Sequence, residues 1–357
     1  MNNNAVNYFL GCSSPEGFVS FFDGLYSFDE GWQPYILKGG AGTGKSTLMK
    51  KIAAELENRD YNVERVHCSS DPESLDAVIC RELHFCIADG TSPHVIEPIF
   101  PGAVENIINL GEYWNKKILS SKSHEIIELC RKNALCHERC ARFISAAGKV
   151  RNDIQKISEE AILEYKIHSY TDRFSRRRFT KLKGKKGKER KIFLSAVTPG
   201  KIAFFGDTVR SLAEEIILIE DKAALASGLL LEEMKNLALK NGYDVYSAFC
   251  PLEPSGFPEH IIIPALSLAF IKKHDIFGEM PFTRTIHTER FLESEKLSSH
   301  KNRISLDRRI INELIAEAAA SLASAKKIHD EIERIYIQAM DFSSYDKLIK
   351  EILGDIL

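Results

Sequence analysis

The residues best suited to chemistry lie in one short run, GGAGTGKS, at positions 39–46. This run has the G-x-x-x-x-G-K-[ST] spacing of a phosphate-binding loop, with a strand-like stretch before it and a helix-like pattern after it. Glycines let a backbone approach phosphate closely, and the loop N–H groups and the next helix N-terminus present partial positive charge. We therefore expect a polyphosphate to contact this backbone. The predicted binding residues are Gly39, Gly40, Ala41, Gly42, Thr43, Gly44, Lys45, Ser46 and Thr47.

Two side chains of this run and one further along the chain predict a nucleotide–metal site. Lys45 supplies a cation for the β- and γ-phosphates of ATP, and the Ser46 hydroxyl supplies a ligand for Mg²⁺. Asp89 ends the apolar stretch HFCIAD, where a second metal ligand is expected, bound directly or through water. The alternative is that Asp89 caps the turn that follows it. ATP and Mg²⁺ are thus the predicted ligands, with Lys45 and Asp89 among the predicted catalytic residues.

A base that activates water must be sought elsewhere, because Gly90 follows the acidic strand end. The segment CSSDPESLD offers Asp71, Glu73 and Asp76. In a doubly wound sheet the loops at the carboxyl ends of the strands converge on the ligand, so Asp71 is the predicted catalytic carboxylate. The alternative is that Asp71 caps a helix whose first turn begins with Pro72.

The sequence pattern around this site occurs twice in the chain. A shift of 182 residues places YILKGGAGTGKSTLMKKIAAELENRDYNVERVHC, which ends at Cys68, over a stretch that ends in YDVYSAFC at Cys250. Further on, the helical segment SAAGKVRNDIQKI overlays ASAKKIHDEIERI. Order and spacing agree over more than a hundred residues, which predicts a tandem duplication folded as an intramolecular pseudo-dimer.

The second copy lacks the residues that would hold a phosphate. An acid stands at the head of its loop and would repel phosphate, and no lysine stands at the position of Lys45 to offset that charge. The replacements are Lys45 by Ser227, Ser46 by Gly228, Gly39 by Asp221, Gly42 by Ala224, Gly44 by Ala226 and Asp89 by Lys272. We expect this copy to be structural or regulatory. One further role is to lend a basic residue across the pseudo-twofold interface, with Arg284 and Arg290 as candidates; the alternative is that both are ordinary solvated side chains.

Periodicity predicts an α/β fold with two tandem P-loop NTPase-like domains, the second degenerate. Strand-like stretches separated by helical patterns favour doubly wound parallel sheets. Each domain is expected to carry a helical hairpin, at about 113–172 and about 305–357, packed on the sheet or on the other hairpin. The predicted boundaries are 1–172 for the first domain, 173–191 for a linker and 192–357 for the second domain.

The linker is the one strongly charged segment. Residues 173–191 hold eleven Lys or Arg and one Glu, although the chain as a whole has a net charge of −2. The segment is interpreted first as a flexible, solvated linker, and alternatively as a surface for nucleic-acid phosphates or another acidic partner.

Composition and hydropathy favour a cytoplasmic protein without membrane insertion. The longest apolar run, within HIIIPALSLAFIKKH, is too short to cross a bilayer, and the opening residues do not resemble a secretion signal. Eight cysteines in 357 residues are too few for a disulfide scaffold, so reduced thiols are expected.

Four stretches together resemble a poorly characterised family of bacterial P-loop ATPases, often from Firmicutes, that consist of two related nucleotide-binding halves. They are FLGCSSPEGFVSFF, ILKGGAGTGKSTLMKKIA, HCSSDPESLDAVI and FCIADGTSPH. The resemblance extends over nearly the whole chain and implies an ATP-binding protein, without implying a substrate. The second half departs from a two-site pattern, so one live site is expected.

The function expected from the sequence is Mg²⁺-dependent ATP hydrolysis at the single loop of the first half. Two alternatives stay open. One is a nucleotide or small-molecule kinase, which would need an acceptor pocket with a base. The other is a non-catalytic, nucleotide-dependent switch or a nucleic-acid-associated protein.

Overall fold

The chain builds the same succession of strands and helices twice. The computed structural model describes residues 6–93, 95–221, 225–274 and 281–357. The elements of the first half are β1 (Val6–Tyr8), β2 (Gly11–Ser14), β3 (Gly17–Ser20), β4 (Gln33–Lys38), α1 (Lys45–Glu57), β5 (Glu64–Cys68), β6 (Asp71–Cys80), β7 (Phe85–Asp89), β8 (Asn106–Asn109), α2 (Lys116–Ser121), α3 (Ser123–Ala161) and α4 (Glu164–Arg178).

The second half repeats this order, with one added short helix. Its elements are β9 (Glu189–Ile192), β10 (Ser195–Thr198), β11 (Lys201–Phe204), α5 (Gly206–Leu212), β12 (Glu215–Glu220), α6 (Leu225–Lys240), β13 (Val245–Cys250), β14 (Glu253–Ile263), β15 (Leu268–Lys272), β16 (Arg284–His287), α7 (Ser294–Ser299), α8 (Lys301–Gln338) and α9 (Tyr345–Ile356).

Two six-stranded sheets have matching strand orders, β1-β5-β6-β7-β4-β8 and β9-β13-β14-β15-β12-β16. Their registers match as well: Leu37 of β4 lies opposite Asp89, and Ile219 of β12 lies opposite Lys272. This is consistent with a tandem duplication. It also confirms that Lys272 stands where the first half has Asp89.

The sheets are mixed, so the prediction of parallel sheets was wrong in part. In the first sheet three neighbouring pairs are parallel, but β6 runs antiparallel to both β5 and β7. The helix considered after Asp71 is therefore a strand. Two residues separate β5 from β6, which suffices for an antiparallel turn but not for a parallel crossover. The apolar run from Leu75 to Cys80 is buried throughout, as expected for a strand covered on both faces.

The two sheets face each other across a shared core. Inward side chains of the first sheet, such as Val66 and Ile79, pack in one cluster with Ile262 and Ile271 of the second. The outer face of the first sheet is covered by α1 and α9, and that of the second by α4 and α6. The result is four layers, helix–sheet–sheet–helix. Each sheet thus carries its main helices on one face, which differs from a doubly wound arrangement.

The C-terminal helices of the halves are exchanged. Helix α4 follows the first half in sequence but packs on the second sheet, whereas α9 follows the second half and packs on the first. The long helices α3 and α8 run antiparallel along each other, with Asn133 bound to the carbonyl of Ala325 (2.8 Å) and Arg303 paired with Asp153. The helical extensions therefore join the halves by packing on each other, one of the two placements that the sequence left open.

The basic segment 173–191 is ordered. It contains the end of α4, a loop, and β9. The loop is fixed by backbone hydrogen bonds from Leu182 to Asn241 (2.9 Å) and from Gly187 to Leu239 (3.2 Å). Over the described ranges, none of the helices combines the length and apolar character needed to cross a membrane.

Candidate functional site

The predicted phosphate-binding loop connects the end of β4 to the start of α1. Gly42 and Gly44 have positive φ angles of 67° and 78°, which glycine adopts without strain. Gly44 directly precedes the helix, so the loop delivers the chain to a helix N-terminus as the motif requires. Thr43 is buried and its hydroxyl donates to the carbonyl of Gly40 at 2.9 Å, which holds the loop closed on itself.

Lys45 lies folded over this loop. Its ammonium group donates to the carbonyls of Gly39 (2.7 Å) and Gly40 (2.8 Å) and lies 3.5 Å from a carboxylate oxygen of Asp89. Both charged side chains are mostly buried, with 12% and 14% exposed. The predicted cation and the predicted metal-side carboxylate therefore meet at the carboxyl ends of neighbouring parallel strands, β4 and β7.

The two predicted metal ligands have other hydrogen-bond partners in this conformation. The Ser46 hydroxyl accepts from the Leu75 N–H at 3.0 Å. Asp89 accepts from the backbone N–H (2.9 Å) and the hydroxyl (2.5 Å) of Thr91, so the turn-capping alternative for Asp89 is also realised. A second oxygen of Asp89 faces Lys45.

These residues could supply only part of the coordination shell of a magnesium ion. Hydroxyl and carboxylate oxygens are its preferred protein ligands, and it usually keeps several waters and takes few ligands from the protein. Within the described parts of the chain, no three His, Cys, Asp or Glu side chains converge to hold a metal by themselves. Ser46 and Asp89 would thus hold Mg²⁺ together with phosphate and water oxygens.

The candidate bases differ in placement. Asp71 opens β6, accepts from the Ser74 hydroxyl at 2.9 Å and lies 3.3 Å from the ammonium group of Lys326 in α8. Glu73 is exposed. Asp76 is buried within β6; burial, and then the charge of Asp89, raise its pKa to about 8.

Asp76 therefore interacts electrostatically with both members of the Lys45–Asp89 pair. The charge of Asp89 raises the pKa of Asp76, and the charge of Lys45 lowers it. The sequence placed Asp71, Glu73 and Asp76 in one loop and predicted Asp71 as the catalytic carboxylate. One signal could have separated them: Asp76 stands between apolar residues of a strand-like run, so its side chain is carried into the protein.

The second half of the chain covers the loop. A Cβ atom on Gly40 would lie 3.5 Å from the ring of Tyr336, and one on Gly42 would lie 2.7 Å from the carbonyl oxygen of Glu333. The Tyr345 hydroxyl donates to the carbonyl of Thr43. The ends of α8 and α9 therefore form a wall of the site, which the sequence did not reveal. Of the remaining predicted residues, Ala41 is half-buried and Thr47 is exposed in the first turn of α1.

Among the described residues, the second half brings Lys326 to this region. Arg284 lies over the ring of Phe174, 5.2 Å from its centroid, and Arg290 lies over the rings of Tyr170 (5.4 Å) and Phe291 (5.6 Å). These contacts are with α4 and the edge of the second sheet. The expectation of a basic side chain from the other half thus fits Lys326 better than the two arginines.

The equivalent region of the second half has Ser227 in place of Lys45 and holds an internal acid. Asp221 follows β12, and its carboxylate accepts from the Ser227 N–H in the first turn of α6 at 2.8 Å. Ala224, equivalent to Gly42, lies outside the described residues. An aspartate thus occupies the helix N-terminus from within the chain.

Scans against family models, curated proteins and solved structures returned no match for this chain.

Proposed function

We propose that this chain binds a nucleoside triphosphate, with ATP as the nucleotide to test, together with Mg²⁺ at the loop formed by residues 39–47. The observation that carries the proposal is the meeting of Lys45 and Asp89 beside a glycine-rich loop that opens a helix. A polyphosphate would replace the loop carbonyls as the partner of the Lys45 ammonium group. Mg²⁺ neutralises phosphate charge when bound, with Ser46 and Asp89 as its protein ligands.

The proposed reaction is slow hydrolysis of the bound triphosphate. A water molecule would be oriented by Asp71 at the start of β6, or by Asp76 inside the strand, whose pKa of about 8 lets it exchange a proton near neutral pH. The wall formed by α8 and α9 limits the access of bulk water to the loop. No adjacent acid follows Asp89, so slow turnover is expected.

Calorimetric titration with Mg·ATP and a phosphate-release assay test the proposal together. The wild-type chain should bind one equivalent of ATP. Lys45→Ala should weaken binding at least about 100-fold, because a charge-assisted contact to phosphate is lost in a mostly buried site. Lys50→Ala is the matched control, an exposed lysine of the same helix that should change neither reading. Unchanged binding by the Lys45 variant, or two equivalents per chain, would refute the single-site proposal.

The basic segment supports a second candidate function, contact with nucleic-acid phosphates. Its loop is fixed in place, which presents the lysine side chains on a defined surface. Lys183 and Lys186 are exposed, and in the described part of the chain no carboxylate pairs with either ammonium group. A fixed cationic surface binds phosphates in a salt-dependent manner.

Fluorescence anisotropy with a labelled single-stranded oligonucleotide, repeated over a series of KCl concentrations, tests this candidate. Each phosphate contact contributes roughly 0.7 to the slope of log K against log salt for a single strand. Lys183→Gln/Lys186→Gln should therefore reduce the slope by about 1.4. Lys116→Gln/Lys117→Gln removes the same charge from the exposed α2 and should not. Equal slopes for both double variants would reject the segment as a nucleic-acid surface.

A further inference from the structure

The phosphate-binding loop already has an anion against it, supplied by the other half of the chain. Glu333, near the end of α8, packs against Gly42, and the Gly42 N–H is close enough to its carboxylate to help lower the pKa. The backbone of α8 also lies against Gly42. A Cβ atom on Gly42 would lie 2.7 Å from the Glu333 carbonyl oxygen and 3.1 Å from the Tyr336 Cβ atom. An N–H group of the loop therefore has a carboxylate beside it.

The surroundings keep Glu333 ionised. Its pKa lies below the usual value, chiefly because His329, 3.5 Å away, hydrogen-bonds to the carboxylate; the charge of Lys326 and the Gly42 N–H act in the same direction. The side chain is half-buried between α8 and the loop. It thus presents a full negative charge to the loop that would receive phosphate.

The equivalent position in the first half indicates that the negative charge of Glu333 is not needed for the packing of the long helices. In the overlay of the long helices, Glu333 corresponds to Gln155 of α3. Gln155 donates to Glu253 of β14 and brings no negative charge to the second half's loop region. The carboxylate is therefore present on the helix that crosses the intact loop, and a neutral amide is present on the helix that crosses the degenerate one.

We propose that Glu333 is a built-in competitor for the phosphate site, which a polyphosphate must displace in order to bind. This inference rests on the proposed nucleotide function and adds a regulation to it. Two anions do not share one N–H group of a partly buried loop, so phosphate binding moves the end of α8 away from Gly42.

The displacement reaches α9, because the same stretch of chain holds both contacts. A Cβ atom on Gly44 would lie 3.0 Å from the ring of Tyr345 and 3.1 Å from that of Phe342, and the Tyr345 hydroxyl donates to the Thr43 carbonyl. Lys51 of α1 pairs with Asp346 at 2.9 Å. Release of Glu333 thus loosens the docking of α9 on α1, so that the occupancy of the loop is reported at the surface.

Titration of three chains with Mg·ATP, and separately with inorganic pyrophosphate, tests the competitor. Glu333→Gln keeps the shape and removes the charge, and it should bind both ligands about tenfold more tightly than wild type. Glu331→Gln is the control, an exposed acid on the same helix that should leave affinity unchanged. Hydrogen exchange of residues 339–357 should rise when wild type binds ATP, and circular dichroism confirms folding of each variant.

The outcomes separate the inference from the function on which it rests. Equal or weaker binding by Glu333→Gln, with wild-type binding that depends on Lys45, would overturn the competitor and leave the nucleotide site intact. Binding by Glu333→Gln where wild type shows none would support both. If neither chain binds ATP or pyrophosphate, the nucleotide site and the competitor are both refuted.

Discussion

The loops that begin α1 and α6 occupy equivalent places in two sheets of the same strand order, yet their charges are reversed. At α1, Lys45 lies over the loop and Asp89 stands at the end of the neighbouring strand. At α6, Asp221 caps the helix, and Lys272 stands at the end of the neighbouring strand. The first arrangement holds a cation over the loop, where we propose that phosphate binds. The second satisfies the helix N-terminus with a carboxylate of the chain itself.

The cross-half contacts follow the same division. Both β6 and β14 begin with an acidic residue, and each acid pairs with a cation from the long helix of the other half. Lys326 lies 3.3 Å from Asp71, and Arg151 lies 3.0 Å from Glu253. The pairing is thus common to both halves, whereas Glu333 is peculiar to the helix that crosses the intact loop. The comparison teaches that the frame is maintained by packing and by these pairs, independently of the phosphate chemistry.

The largest expected effect lies where the two sheets meet. Glu64 of β5 corresponds to Tyr246 of β13, and the two contact each other: the Tyr246 hydroxyl donates to Glu64 at 2.9 Å, alongside Tyr8 (2.5 Å) and Arg81 (2.5 Å). Glu64→Gln leaves the Arg81 charge unpaired and should destabilise the chain by about 3 kcal/mol at pH 7, measured by urea denaturation. Tyr246→Phe removes one neutral donor and should cost about 1 kcal/mol.

The Glu64 effect should depend on pH in a defined direction. Burial acts to raise the pKa of Glu64, but the charge and hydrogen bonds of Arg81, with Tyr8, hold it below the usual value. A carboxyl with a lowered folded-state pKa stabilises the chain above the unfolded-state pKa of about 4.3, and this stabilisation is lost as the pH falls through the folded-state pKa. The stability difference between wild type and Glu64→Gln should shrink below about pH 4. A difference that stays constant down to pH 2 would contradict this origin.

The two cross-half pairs should differ in strength. Arg151 is 14% exposed and also contacts the Cys250 sulfur, whereas Lys326 is 26% exposed and is shared between Asp71 and Asp330. Arg151→Met should therefore cost about 2 kcal/mol in chemical denaturation and Lys326→Met about 1 kcal/mol, since more deeply buried pairs lose more when one partner is removed. Equal losses would show that the two interfaces are equivalent in energy as well as in position.

The smallest expected effect concerns the aspartate cap of the second half. Asp221→Ala removes the carboxylate that accepts from Ser227, and losing such a cap costs about 1 kcal/mol. ATP binding should be unchanged, because the variant lies at the loop without Lys45. Asp221→Asn is the matched control, since an amide oxygen can still accept. A change in ATP affinity on Asp221→Ala would mean that the second loop contributes to nucleotide binding.

The sequence carried the parts of the site that depend on local spacing. The glycine-rich loop, its strand and its helix follow from residues close together in the chain. The equivalence of Asp89 with Lys272 follows from comparing two such local patterns, one in each half. The long helices α3 and α8 also follow from local periodicity. These features are set by backbone conformation and helix propensity, which neighbouring residues determine.

What the sequence missed depends on partners far away in the chain. The segment after Asp71 has residues suited to a helix start, but burial between β5 and β7 makes it a strand. Nothing local indicates that α4 and α9 exchange sheets. Lys326 and Glu333 reach the loop for the same reason, because an amphipathic helix shows which face is buried but not which surface covers it.

The exchange of α4 and α9 has a consequence for how the protein is made. The contact between Thr43 and Tyr345 joins residues 302 positions apart, so the outer layer of the first sheet is completed by residues synthesised long after it. Such non-local closure slows folding and leaves apolar surface of α1 uncovered meanwhile. Neither half is a self-sufficient module. Cutting the chain between α4 and β9 would separate α4 from the second sheet, which it covers, and α9 from the first sheet, which it covers.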